Sequence, residues 1–314
     1  MPGSTVQVVL DLPIPKDFTY LVPPEMEASV CEGKRVKVPF GPREKVGLCV
    51  GRNLSAGRGF TLKPILEVLD AEPLLPPPLV ELARWIGAYY GASLGETVFA
   101  LLPGRLKKNR RPPKPRLTRK LGEITGPDLE HVLTGEQEAA FAPIAAALEE
   151  HRNASFLLYG VTGSGKTEVY FSAIARTLAQ GRSALLLVPE ISLTPQTYAR
   201  FAGHFPGVSL WHSKMTQAQR EEEWWRIRNQ QRPLVIGPRS ALFAPVPRLG
   251  LIILDEEHDG SFKQSNSPRY QTRVAARKRA ELEGAVLVLG SATPSQESYE
   301  AAGRGELQLL QLTE

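Results

Sequence analysis

The stretch FLLYGVTGSGKT, Phe156 to Thr167, decides the fold. Four apolar or aromatic residues read as a short buried strand. The turn behind them fits G-x-x-x-x-G-K-[ST] from Gly160 to Thr167, and a helix-compatible stretch then runs to Gln180-Gly181. Strand, glycine-rich turn and helix in that order build an anion site, because the glycines let backbone N–H groups wrap phosphates and the helix N-terminus faces the charge. Gly160, Thr162, Gly163, Ser164, Gly165, Lys166 and Thr167 are therefore the expected ATP-binding residues. Lys166 would neutralise the β- and γ-phosphates, and the Thr167 hydroxyl would ligate Mg²⁺.

Working outward, helical patterns alternate with further apolar runs at Ala184–Pro189, Pro233–Gly237, Leu249–Glu256 and Ala285–Gly290. Buried strands alternating with helices predict an α/β, doubly wound parallel sheet from about Thr134 onward. Upstream the pattern changes. Val6–Asp11, Arg35–Phe40 and Lys45–Gly51 alternate or are rich in β-branched residues, which predicts a small β-rich domain. Leu79, Leu82, Ala83, Ile86 and Tyr90 then recur at helical spacing until Pro103-Gly104.

The composition excludes several classes. Two cysteines in 314 residues, Cys31 and Cys49, rule out a disulfide scaffold and a four-cysteine zinc site, so no zinc is expected in this chain. No apolar run reaches a membrane span, and the N-terminus lacks a signal peptide's layout; a cytoplasmic location without membrane contact is expected. The net charge of +5 is concentrated. Arg105 to Lys120 reads RLKKNRRPPKPRLTRK, with nine basic residues and no acidic one, so the rest of the chain carries −4. This stretch, with Arg110 and Arg111 at its centre, reads either as a phosphate-contacting linker or as a solvated one.

The second chemical motif is Asp255-Glu256-Glu257-His258, directly after the apolar strand Leu251–Leu254. A carboxylate at a strand's C-terminal end, on the same sheet as a phosphate loop, is where a Mg²⁺ ligand belongs. Asp255 is expected to hold the metal and Glu256 to polarise the attacking water. With Lys166 they form the expected catalytic set. An isolated acidic turn of this kind is otherwise a solvated one.

D-E-x-H with this phosphate loop resembles the motor of superfamily 2 helicases, a RecA-like lobe. Ser291-Ala292-Thr293 is similar to that superfamily's third motif, which couples nucleotide state to DNA. LLVPEISLTPQ (Leu186–Gln196), WHSKMT (Trp211–Thr216), IGPRSALFAP (Ile236–Pro245) and DEEHDGSFKQSNSPRY (Asp255–Tyr270) resemble, more narrowly, the PriA family of bacterial replication-restart helicases. So do DFTYLVPPE near Asp17, RVKVPFG near Arg35 and LARWIGAYYGASLGE from Leu82.

The resemblance implies further roles. Gln137 in LTGEQ is similar to an adenine-reading glutamine; its other reading is a solvated residue at a helix start. His258, Ser291 and Thr293 would couple the two ligand sites. Phe262, Lys263, Arg269 and Tyr270 match an aromatic-rich loop that senses single-stranded DNA, which suits stacking and phosphate contact, although packing also explains the aromatics. Arg239 would hold a DNA phosphate, and Phe18 and Tyr20 belong to a segment thought to recognise a DNA 3′ end. Trp224-Trp225 reads mainly as packing. The implied function is the N-terminal half of an ATP-dependent 3′-to-5′ helicase that recognises stalled or branched forks and starts primosome assembly. The implied partners are single-stranded and branched DNA, single-strand-binding protein and helicase-loading proteins, and a monomer is expected. The alternative is a scaffold that binds DNA and ATP without unwinding. A phosphate-loop kinase or transporter ATPase is disfavoured by the DEEH and SAT pair.

Three departures stand against the family pattern. Residues 105–133 replace a winged-helix module with a basic linker between a DNA-binding domain (1–104) and the motor lobe (134–314). Thr19 stands where the family carries an aspartate, with Asp17 as the nearest substitute. No Q-x-x-G-R-x-x-R motif follows Thr293, so a fragment ending at the lobe boundary is expected, with slow hydrolysis and no unwinding on its own.

Overall fold

A computed structural model describes residues 4–53, 62–108 and 133–313. The chain divides into two compact units, Met1–Leu117 with Ser265–Tyr270 and Thr118–Gln264 with Gln271–Glu314.

The first unit is built on a five-stranded antiparallel sheet. Its strands are β1 (Thr5–Leu10), β2 (Phe18–Leu21), β3 (Arg35–Phe40), β4 (Arg43–Asn53) and β5 (Glu67–Val68), in the order β2-β1-β4-β3-β5. Alternation places Val6, Val8 and Leu10 with Val36, Val38 and Cys49 in one core. Two helices follow, α1 (Pro77–Tyr90) and α2 (Leu94–Leu101). Gly91 closes α1 in the left-handed region, and a Ser93/Glu96 capping box opens α2.

A buried ion pair anchors this unit. Asp70 accepts from Arg35 Nη2 at 2.6 Å, from Nε at 3.0 Å and from the Arg35 backbone N–H at 2.8 Å. Nη1 of Arg35 donates to the carbonyls of Leu106, at 2.9 Å, and Lys108. The first residues of the basic stretch therefore pack on this unit, with Leu106 fully buried. The rest of that stretch, including Arg110 and Arg111, lies outside the described residues.

The second unit carries seven parallel strands in the order β12-β6-β11-β10-β7-β9-β8. They are β6 (Ala154–Gly160), β7 (Ser183–Leu187), β8 (Val208–Leu210), β9 (Leu234–Gly237), β10 (Leu249–Asp255), β11 (Val286–Ser291) and β12 (Gln308–Leu312). The intervening helices are α3 (Gly135–Glu149), α4 (Lys166–Ala179), α5 (Pro195–His204), α6 (Gln217–Arg228), α7 (Thr272–Glu283) and α8 (Gln296–Gly303). The five predicted apolar runs are the central strands. Periodicity alone does not reveal the edge strands: β8 has three residues, and β12 alternates with exposed glutamines. Trp224 is fully buried and meets Trp211 edge to face, which fits its reading as packing.

This strand order decides the position of the site. β11 lies between β6 and β10, so the phosphate loop, the SAT residues and the acidic turn leave the C-terminal edges of three adjacent strands. The register is level: Asp255 pairs with Gly290, Gly290 with Leu158, and Ser291 with Tyr159. Parallel α/β sheets bind ligands at this edge.

Candidate functional site

Gly160 ends β6, and the loop enters α4 through Gly165, whose φ of +85° makes it the helix cap. That φ favours glycine, and Nε2 of Gln137 lies 2.0 Å from where a Cβ would stand, so any other residue would also push the Gln137 side chain aside. Thr162 and Gly163 are exposed, whereas Ser164 and Lys166 are buried. The Lys166 ammonium donates to the carbonyls of Gly160 at 2.6 Å and Val161 at 3.2 Å. Among the described residues Ser164 Oγ is buried without a hydrogen-bond partner, a polar atom at the turn of the loop that a phosphate oxygen would satisfy. Thr167 follows at the first turn of α4, partly exposed.

Gln137 stands at a helix start, as its second reading has it. It closes a capping box with Thr134, accepting that residue's backbone N–H at 3.0 Å, while its amide nitrogen faces Gly165. A helix-start glutamine is thereby placed against the phosphate loop.

At the end of β10, Asp255 accepts from the Tyr170 hydroxyl at 2.9 Å. Burial raises the Asp255 carboxyl above the ordinary carboxylate range, opposed by the Tyr170 hydrogen bond and by the Lys166 charge. Burial, then the Asp255 charge, holds the Tyr170 phenol well above its usual value, so it remains a donor. A carboxylate has about four lone-pair sites, and the phenol uses one. Its free oxygen sites, and the hydroxyl that Thr167 carries at the first turn of α4, are oxygen donors of the kind a hard cation such as Mg²⁺ takes.

Glu256 adopts φ +50°, a left-handed conformation uncommon for a residue with a side chain. Its carboxylate is 3.7 Å from His258 Nδ1. That nitrogen is 2.8 Å from Ser291 Oγ, which also accepts the Thr293 backbone N–H at 3.0 Å, and His258 Nε2 is 3.4 Å from Thr293 Oγ1. His258, Ser291 and Thr293 are thus brought together.

Glu257, to which the sequence motif assigns no role of its own, is the most engaged residue of the turn. It is 1% exposed. Its carboxylate accepts from Ser295 N at 2.7 Å, Ser298 Oγ at 2.9 Å, Arg273 Nη1 at 3.1 Å and Ser295 Oγ at 3.1 Å. Its backbone N–H donates to the Gly290 carbonyl at 3.0 Å. No local signal marks it, because every partner lies at least 16 residues away.

The residues expected to meet DNA are placed unevenly. Arg239 donates to Gln264 Oε1 at 2.7 Å and to the Ser261 carbonyl at 2.6 Å, which ties it to the loop after the acidic turn. Lys263 and Arg269 are exposed. Phe262 and Tyr270 are buried, so neither presents a ring face for base stacking, and packing describes both. The Phe262 backbone is held at both ends, by Asp259 O at 3.1 Å and by the Thr272 hydroxyl at 2.6 Å. In the first unit Phe18 is half-buried and meets Phe40 edge to face. Tyr20 is buried and donates to the Pro39 carbonyl at 3.1 Å. Asp17 and Thr19 are exposed. Among the described residues no helix is long and apolar enough to cross a membrane.

Comparison with known proteins bears on both units. Residues 7–103 match the PriA 3′ DNA-binding domain family, and residues 134–302 match the DEAD/DEAH box helicase family. Replication restart protein PriA of Treponema pallidum (strain Nichols) is 37% identical over 319 residues, covering 98% of this chain and 47% of that protein. PriA of Bacillus subtilis (strain 168) is 50% identical over 181 residues, covering 57% of this chain and 22% of that protein. A structure of RecG bound to a three-way DNA junction is 27% identical over 59% of this chain and 24% of that one, with a TM-score of 0.44. The chain spans about half the length of the first of these relatives, or less. It belongs to the DEAD/DEAH box helicase family and, with a PriA-type 3′ DNA-binding domain preceding the helicase domain, corresponds to the N-terminal part of the replication restart proteins PriA.

Proposed function

We propose that this chain is the ATP- and fork-binding half of an ATP-dependent 3′-to-5′ DNA helicase that restarts stalled replication. The observation that carries the reading is the convergence of three motifs at the level C-terminal edges of β6, β11 and β10. Lys166 exchanges its loop carbonyls for the β- and γ-phosphates, while backbone N–H groups at the start of α4 hold the remaining oxygens. Thr167 and Asp255 hold Mg²⁺, which when bound neutralises charge developing on the phosphates. Glu256 orients the attacking water. The contact of His258 with Ser291 and Thr293 joins the hydrolytic turn to the strand end next to it, so a change at the phosphates reaches the SAT segment.

DNA binding divides between the units. Exposed Lys263 and Arg269, with Arg239 holding their loop, supply phosphate contacts, and Arg110 and Arg111 add a salt-sensitive component. Residues 1–104 bind the DNA 3′ end, 105–133 form the basic linker and 134–314 form the motor lobe. Single-strand-binding protein and helicase-loading proteins are the proposed protein partners.

The test is Lys166→Ala in cells that depend on this gene for restart, with DNA binding measured in parallel. A motor loses restart while DNA binding persists. Restart that survives the substitution identifies a scaffold and overturns this reading.

A further inference from the structure

We propose that Tyr170 is a positioning residue that fixes the Asp255 carboxylate for the divalent cation of the bound nucleotide, and that residue 290 is glycine because the phenol passes over it. The inference rests on the nucleotide reading above and concerns a side chain outside the recognised motifs.

Tyr170 lies three residues beyond Thr167 in α4, so the two project from one face of that helix. Its ring crosses the C-terminal edge of the sheet while only 2% exposed, and its hydroxyl reaches Asp255 Oδ1 at 2.9 Å. A buried phenol needs a partner for its O–H; here the partner is the proposed metal ligand. The path runs over the strand between the two motifs. Gly290 is level with Asp255, and a Cβ there would stand 1.7 Å from the Tyr170 hydroxyl and 2.9 Å from the carbon bearing it. Even the smallest side chain at 290 would displace the phenol from the carboxylate. The phosphate-loop helix and the acidic turn therefore share one hydrogen bond in addition to any shared ligand. Groups that orient a metal ligand in this way set metal affinity, with losses of about 10- to 100-fold on their removal.

The experiment measures binding of N-methylanthraniloyl-ADP to the 314-residue chain as Mg²⁺ is added, with Mn²⁺ binding followed by electron paramagnetic resonance. Tyr170→Phe should raise the Mg²⁺ and Mn²⁺ concentrations at half-saturation about tenfold. Nucleotide affinity in EDTA should not change. Gly290→Ala, with Tyr170 intact, should give the same shift, and the double variant should be no worse than the single ones. The inference is overturned if both variants titrate like the unsubstituted chain, or if metal-free nucleotide affinity falls in parallel, which marks simple loss of packing. Failure of the unsubstituted chain to bind nucleotide in a Mg²⁺-dependent way would remove the nucleotide reading and this inference with it. Normal Mg²⁺-dependent binding with an unaltered Tyr170→Phe titration would remove this inference alone.

Discussion

In the seven-stranded sheet the proposed site residues stand at or just beyond the ends of strands, whereas in the five-stranded sheet Phe18 opens the four-residue β2 and Tyr20 lies inside it. The parallel sheet sends every strand the same way, so three separate segments deliver their residues to one edge. The antiparallel sheet alternates direction and face, and its strand residues must also pack. Tyr20 is buried against the Pro39 carbonyl, while only Phe18 keeps part of its ring in solvent. Strand-end residues are free to serve a ligand because the sheet makes few structural demands on them. A mid-strand residue serves the core first.

Substitutions can sharpen or break that contrast. The largest effect is expected at Asp70, whose removal takes the carboxylate away from the buried Arg35 guanidinium at a cost of about 3–5 kcal/mol. Asp70→Ala should lower the protection of amides in β1, β3 and β4 by hydrogen exchange, with amides of β10 and β11 unchanged. Equal loss in both sheets would show that the units do not fold separately. Next is Lys166→Ala. Hydrogen bonds to a charged group contribute about 1.5–3 kcal/mol, so Mg·nucleotide affinity should fall about 10- to 100-fold by fluorescence titration while the melting curve stays in place. A large drop in melting temperature would place Lys166 among structural residues instead. The smallest effect is at Tyr20→Phe, which removes one hydrogen bond worth about 0.5–1.5 kcal/mol. Denaturant unfolding of the first unit should shift by that amount with DNA 3′-end affinity retained. Loss of affinity without loss of stability would make Tyr20 a ligand contact and erase the contrast.

Legibility in the sequence follows the same division. The phosphate loop and the acidic turn are contiguous, and each follows an apolar strand, so their order and elements could be read directly. The alternation at Arg35–Phe40 predicts β3 with the boundaries it has in the structure. What stayed hidden depends on distant neighbours. Tyr170 is an ordinary helix residue until β11 brings Gly290 beneath it. Glu257 looks like one carboxylate among three until α7 and α8 supply Arg273, Ser295 and Ser298. For Phe262 the sequence leaves base stacking and packing both open; its ring is buried and its backbone is fixed by Asp259 and Thr272.

The central claim is that one nucleotide site is built from the ends of three neighbouring strands. Paramagnetic broadening of backbone NMR signals by nucleotide-bound Mn²⁺ tests it directly. The account predicts that residues 163–167, 255–258 and 290–293 broaden together and that Lys166→Ala abolishes the effect. Broadening confined to the acidic turn, or unchanged by Lys166→Ala, would contradict it.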